Sequence, residues 1–260
     1  MNVPRCGIAA DIPAEHIEVV NMKYVYGPVK SRRLGNSLGI STVPYKVCSF
    51  DCVYCQLKKT TEKTSQRKEY IPQKEILKEV AGFFKNKPKN LKIDYLTFSG
   101  SGEPTLHRSI GSLIKRVKEI ASLPVALITN SSSMGNLGVR RALLNADVVI
   151  PSLDAVTQDI FRKIDRPVRG LRIKDIISGL LKFRKAFKGS LWLEVMLVRG
   201  INDKIDYLQK IKKVIDLIRP DKVQINVPVR TPAEQWVRLP MRSTLKEAKK
   251  IFGKNCDIVC

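Results

Sequence analysis

The sequence predicts an α/β fold, an incomplete (β/α)6 TIM-like barrel with an irregular N-terminal leader and a C-terminal extension. From residue 43 onward, short β-branched runs alternate with amphipathic stretches. The alternation recurs six times, as expected of parallel strands joined by crossover helices. A length of 260 residues, with 43% hydrophobic and 27% charged side chains, describes one globular body able to bury a sizeable core.

Residues 1–42 are irregular and contain Gly and Pro turn signals. Tyr24-Val25-Tyr26 ahead of Gly27-Pro28 suggests one short strand and turn, so this segment reads as a leader packed on the barrel. Strands are expected at 43–47, 93–99, 125–129, 148–152, 191–198 and 223–227. Between them, helices are expected at 73–84, 109–121, 139–145, 173–187 and 204–218, where apolar residues recur every three or four positions. Right-handed crossovers follow from that order. The barrel therefore occupies 43–229, and 230–260 add a loop, a helix near 243–252 and a candidate last strand.

Composition narrows the function. Lysine and arginine number 47 against 24 acidic residues, a formal net charge of +23. The surplus is spread along the chain, at Lys58-Lys59, 85–92, Lys210-Lys212-Lys213 and Lys249-Lys250. Basic groups bind polyanions by releasing condensed counterions, which favours a nucleic-acid partner over the alternative of merely solvated helix faces. No apolar run approaches the roughly 18 residues that span a bilayer. Residues 1–10 lack the apolar stretch of a signal peptide. A cytoplasmic protein without membrane contact is expected.

Six cysteines in a reducing compartment are better read as ligands than as disulfides. Cys48, Cys52 and Cys55 have the spacing C-x3-C-x2-C, directly after the first expected strand, where an active-site loop of a β/α barrel belongs. Three thiolates on one tight loop can reach three irons of a 4Fe-4S cube, leaving the fourth iron for a chelating amino and carboxylate group. The alternatives are a zinc site completed by a distant ligand, or three unrelated core cysteines. The chain offers only His16 and His107 and lacks paired C-x2-C halves.

This loop, with Tyr54 just before its last cysteine, resembles the cluster motif of the radical S-adenosylmethionine (SAM) superfamily. Ser99-Gly100-Ser101-Gly102-Glu103-Pro104, closing the second expected strand, is similar to the glycine-rich motif with which those enzymes bind the methionine amino group. The resemblance implies a 4Fe-4S cluster and SAM as cofactors. Cys48, Cys52 and Cys55 would be the metal ligands and catalytic centre, with Tyr54, Gly100, Gly102 and Glu103 near SAM. Further strand ends follow the pattern more loosely. Asn130, Ser152 and Asp154 are candidates for the ribose hydroxyls or carboxylate of SAM, and the same residue types equally suit helix caps. Met196, Val198 and Asn226 are placed to reach adenine or substrate, with core packing as the alternative for Met196.

The implied reaction is reductive cleavage of SAM to methionine and a 5′-deoxyadenosyl radical, fed by an electron donor such as a ferredoxin or flavodoxin. Residues 27–40, with Asp165-Arg166-Pro167 and residues 198–203, look like a subgroup of Fe-S oxidoreductases related to the wyosine-forming tRNA-modifying enzymes. This implies tRNA or another RNA as substrate. The chain differs from those enzymes in carrying Gln56-Leu57 after the last cysteine and only Cys6 upstream of the loop. Cys6, Cys256 and Cys260 are candidates for an auxiliary cluster or, alternatively, unrelated buried thiols. Arg32-Arg33, Lys30 and Arg166 are candidates for contacting an anionic substrate. Two other functions remain open: a peptide- or protein-modifying enzyme such as a glycyl-radical activase, and a nucleic-acid-binding iron–sulfur protein that does not cleave SAM.

Overall fold

Each strand expected beyond residue 90 is present in the computed structural model, which describes residues 22–260. In chain order the strands are β1 (Val25–Ser31), β2 (Gly35–Ile40), β3 (Val47–Cys48), β4 (Glu62–Lys63), β5 (Tyr95–Phe98), β6 (Val125–Thr129), β7 (Val148–Pro151), β8 (Ser190–Met196), β9 (Lys222–Asn226) and β10 (Cys256–Val259). The helices are α1 (Gln73–Asn86), α2 (Ile110–Ala121), α3 (Leu137–Leu143), α4 (Gln158–Ile164), α5 (Ile173–Ala186), α6 (Ile205–Ile218) and α7 (Arg242–Phe252). The main sheet has the order β1-β2-β5-β6-β7-β8-β9-β10, and only the β1–β2 pair is antiparallel. This curled, mostly parallel sheet is the expected partial barrel.

Period-two alternation divides the sheet into two faces. Leu127, Val149, Leu191, Leu193, Val223 and Ile225 bury in one continuous core with helix residues such as Ile114, Val117, Leu180, Phe183 and Ile211. Their alternates Ala126, Val148 and Ile150 form a separate cluster on the concave side, closed by Leu34 from the β1–β2 turn. The hairpin tip thus folds into the hollow of the barrel.

Two expectations are corrected. Residues 43–47 do not make the first barrel strand, because Pro44 has no N–H for a ladder and Lys46 takes a left-handed φ of 59°. That strand is β2, within the segment read as an irregular leader, and residues 25–40 supply two strands of the sheet. Glycine concealed β2: a Cβ on Gly39 would stand 2.1 Å from the Tyr26 ring, so the residue is there to admit an aromatic side chain and not to turn the chain. Helix α4 was not expected at all. Its seven residues bury only Phe161 and Ile164.

Candidate functional site

The ends of β5 to β9 and the loop after β3 converge at one rim of the barrel. There the chain carries Cys48, Cys52 and Cys55, none of them in a disulfide. Each sulfur has a polar side-chain neighbour. Asn130 Nδ2 lies 3.4 Å from Cys48 Sγ, Cys52 Sγ lies 3.6 Å from Asp165 Oδ1, and Lys46 Nζ donates to Cys55 Sγ at 3.2 Å. Burial pushes the Cys48 thiol up to about 12 and the Cys52 thiol well above its ordinary value. Such thiols ionise when a metal displaces their protons.

The three thiols lie near enough to act on one another's charge, Cys48 and Cys55 each raising Cys52 and Cys55 raising Cys48, and three thiolates from one loop are the donor set that the separate corners of a cube would take. His107 is no ligand candidate in this setting: it is buried, with Nε2 2.8 Å from the Ile71 carbonyl and Nδ1 accepting from Ser109 N–H at 3.2 Å.

The glycine-rich turn lies against the cysteine loop. A Cβ on Gly102 would stand 2.0 Å from the Val47 carbonyl oxygen, and Lys46 N–H donates to the Ser101 carbonyl at 2.6 Å. Gly100 has φ +105°, and a Cβ there would meet Tyr26 Oη at 2.8 Å. Only glycine allows this approach of two backbones. Glu103 is turned inward, 2% exposed. Its Oε1 accepts from Thr105 N, Thr105 Oγ1 and Thr129 Oγ1, and its Oε2 accepts from Asn130 N–H at 2.7 Å. Burial raises its pKa and these donors oppose the rise. The carboxylate therefore braces the turn against the end of β6.

Asn130 extends that brace to the cysteines, donating from Nδ2 to Ser49 Oγ at 2.9 Å. Tyr54 is hydrogen-bonded through its hydroxyl to Asp154 Oδ2, while Asp154 Oδ1 accepts Met196 N–H at 2.8 Å. Asp154 and Asp165 face each other in the protein interior. Desolvation raises both, Asp154 to about 6 and Asp165 well above the carboxylate range, since two adjacent buried carboxyls do not both ionise. Ser152 Oγ lies 3.4 Å from Glu194 Oε1. Asn226 ends β9 with its Oδ1 accepting Val227 N–H. Val198 is fully buried in the core, its N–H donating to Asn202 Oδ1 at 2.8 Å, and so sits behind the rim.

Three residues at this rim are not singled out by the sequence. Asp165 was noticed only as part of Asp165-Arg166-Pro167, yet its carbonyl accepts Asp51 N–H and its carboxyl faces Cys52. Lys46, 2% exposed, looked like part of a strand. Asn202 ties Asp154, Met196 and Val198 together through backbone groups. A signal for Asn202 existed in the Gly200-Ile201-Asn202-Asp203 turn, because Asn in such turns bonds backbone. Cys256 is buried against the core, Cys260 is disulfide-bonded, and Cys6 lies outside the described residues.

A family model described as the radical SAM superfamily matches residues 42–211. A Brachyspira hyodysenteriae protein named GTPase Obg is 42% identical over 236 residues, 91% of this chain and 34% of that protein. The chain therefore spans about a third of that relative's length. The UPF0026 protein MJ1312 of Methanocaldococcus jannaschii is 38% identical over 238 residues, covering 90% of this chain and 74% of its own. Among solved structures, a radical SAM methyltransferase from Sphaerobacter thermophilus superposes with a TM-score of 0.66 at 14% identity, over 85% of this chain and 65% of that one. That last likeness concerns the fold.

Proposed function

The chain belongs to the radical SAM superfamily, and on that premise we propose that it cleaves SAM reductively, using a 4Fe-4S cluster held by Cys48, Cys52 and Cys55, in order to modify RNA. When bound, the reduced cluster and SAM supply methionine and a 5′-deoxyadenosyl radical that takes a hydrogen atom from substrate. The observation that carries the reading is the meeting of a three-cysteine loop with a glycine-rich turn, backbone against backbone, at the strand ends of a partial barrel.

The chain's own residues bind, orient and exclude water. Carbonyls of the turn around Gly100 and Gly102 are offered to the ammonium of methionine, a role that falls to backbone because Glu103 is fully engaged. Ser152 and Asn226, at the strand ends, would meet the ribose and adenine of bound SAM, and Asp154 holds Tyr54 and Met196 in place. Lys46 and Asn130 donate toward cysteine sulfur, the kind of contact that tunes a cluster. A one-electron donor of ferredoxin or flavodoxin type is the implied partner.

RNA is favoured as substrate by the dispersed surplus of +23 and by the resemblance of residues 27–40, 165–167 and 198–203 to wyosine-forming enzymes. RNA displays both phosphates and bases that can be splayed from the stack. Anaerobic reconstitution is expected to give about four irons per chain and 5′-deoxyadenosine on reduction with SAM. A triple Cys48→Ala, Cys52→Ala, Cys55→Ala variant that formed 5′-deoxyadenosine at the wild-type rate would overturn the cluster assignment. Binding of total tRNA should weaken steeply with salt. Absent or salt-independent binding would move the substrate to a peptide.

A further inference from the structure

The concave face of the sheet carries polar groups that the cofactor site does not use. Arg33, at the tip of the β1–β2 hairpin, forms a buried ion pair with Glu194 of β8. Glu194 stands in register with Gln224 of β9. Gln224 is 3% exposed, and its side-chain carbonyl Oε1 has no hydrogen-bond partner. Asn226, the next residue on the same face of β9, is in register with Val259 of β10, whose carbonyl accepts Arg32 Nη1 at 3.4 Å. Four residues past Asn226, Arg230 donates to Gln56 Oε1 at 2.5 Å, immediately after the last cysteine of the loop.

Three guanidinium groups from two distant segments thus border one surface, and among them Arg33 pairs with the carboxylate of Glu194. Among the described residues neither Arg32 nor Arg230 has an ion-pair partner. Arg32 is lowered from its ordinary pKa by burial and then by repulsion from Arg230, and Arg33 falls to about 10 by burial and repulsion from both. Like charges held together, beside a buried acceptor left unpaired, describe a site short of its ligand.

We propose that this surface is a nucleotide site, in which Arg32 and Arg230 clamp a phosphate and Gln224 Oε1 accepts from an N–H or O–H group of the same nucleotide. Guanidinium forks match phosphate geometry and are relieved of mutual repulsion by it. The unpaired amide carbonyl adds a demand that charge alone does not meet, namely a neutral donor next to the anion. A nucleotide supplies both. The inference rests on the RNA reading of the proposed function and narrows it to the place where one nucleotide sits beside the cysteine loop.

The test is direct binding of two probes to the full chain, without reductant or SAM: an equimolar set of the four 5′-mononucleotides, and a short single-stranded RNA. Arg32→Gln and Arg230→Gln are each expected to weaken binding about tenfold, whereas Lys182→Gln, an equal loss of charge on the exposed side of α5, leaves it within about twofold. Gln224→Leu is expected to raise the melting temperature, since it deletes a buried unpaired acceptor, and yet to weaken binding. An effect confined to RNA assigns the site to a nucleotide within a strand, and an effect on the mononucleotides assigns it to a free one. Wild-type affinity for both probes in both arginine variants, or no binding of either probe by the wild type, would overturn the site. Arg230, on an exposed loop, and Gln224 keep the test open if the hairpin variant fails to fold. Absence of binding leaves SAM cleavage standing, and binding without SAM cleavage removes only the radical reading.

Discussion

On the convex face of the sheet Leu191, Leu193, Val223 and Ile225 meet the apolar sides of α5 and α6, while on the concave face the alternate residues Glu194, Ser152, Gln224 and Asn226 meet a hairpin tip and one another. Beside the small apolar cluster of Leu34, Ala126, Val148 and Ile150, the concave side is held by specific pairs: Ser37 with Thr97 at 2.6 Å, Tyr26 with Ser99 at 2.9 Å, and Arg33 with Glu194. Apolar packing asks for volume and tolerates similar shapes. A polar pair needs its particular partner and leaves a desolvated group behind when that partner goes. Stability and chemistry are therefore drawn from opposite faces of the same strands.

The comparison breaks most visibly at Phe183, fully buried on the convex side and stacked on Phe187 with ring centroids 4.7 Å apart. Phe183→Ala should cost about 3–5 kcal/mol in urea unfolding, while iron loading of the molecules that remain folded is unchanged. Loss of iron in proportion to stability would show that the two faces do not separate. Next comes the concave ion pair. Arg33→Met leaves Glu194 buried and unpaired and should cost about 3 kcal/mol, and adding Glu194→Leu should recover most of it. Equal costs in the single and double variants would mean that Arg33 acts through packing.

The smallest effect sharpens the comparison with a pH profile. His107 is neutral in the fold, using one ring nitrogen as donor and the other as acceptor, and burial lowers its pKa. The unfolded chain takes up a proton below about 6.5, so stability falls as pH drops through that value and is insensitive to His107 above it. Between about pH 7.5 and 5.5 the wild-type melting temperature should fall by a few degrees more than that of His107→Gln. Identical profiles would sink the assignment.

The sequence was most legible where periodicity had room to repeat. Five of the six expected strands and the five expected helices lie within a few residues of their predicted places, because each presents a run of Leu, Ile or Val to one core. The concave elements were harder. Gly35-Asn36-Ser37-Leu38-Gly39-Ile40 has the residues of a loop and the backbone of a strand, since its inward positions serve Thr97 and Tyr26 instead of a greasy core. At the site, C-x3-C-x2-C and the glycine-rich turn were visible because their chemistry fixes their spacing. Glu103 and Asp165 were not readable in their actual settings. Beyond the local Thr105, Glu103 finds Thr129 26 residues away and Asp165 faces Cys52 113 residues away, and no local pattern announces a contact that only the closed sheet creates.

Arg32 and Val259 touch across 227 positions of chain. Contacts of that span form late, after the intervening strands have been laid down in order. The hairpin precedes β10 in the chain, so its tip has no Val259 carbonyl to grip until β10 has been made and paired with β9.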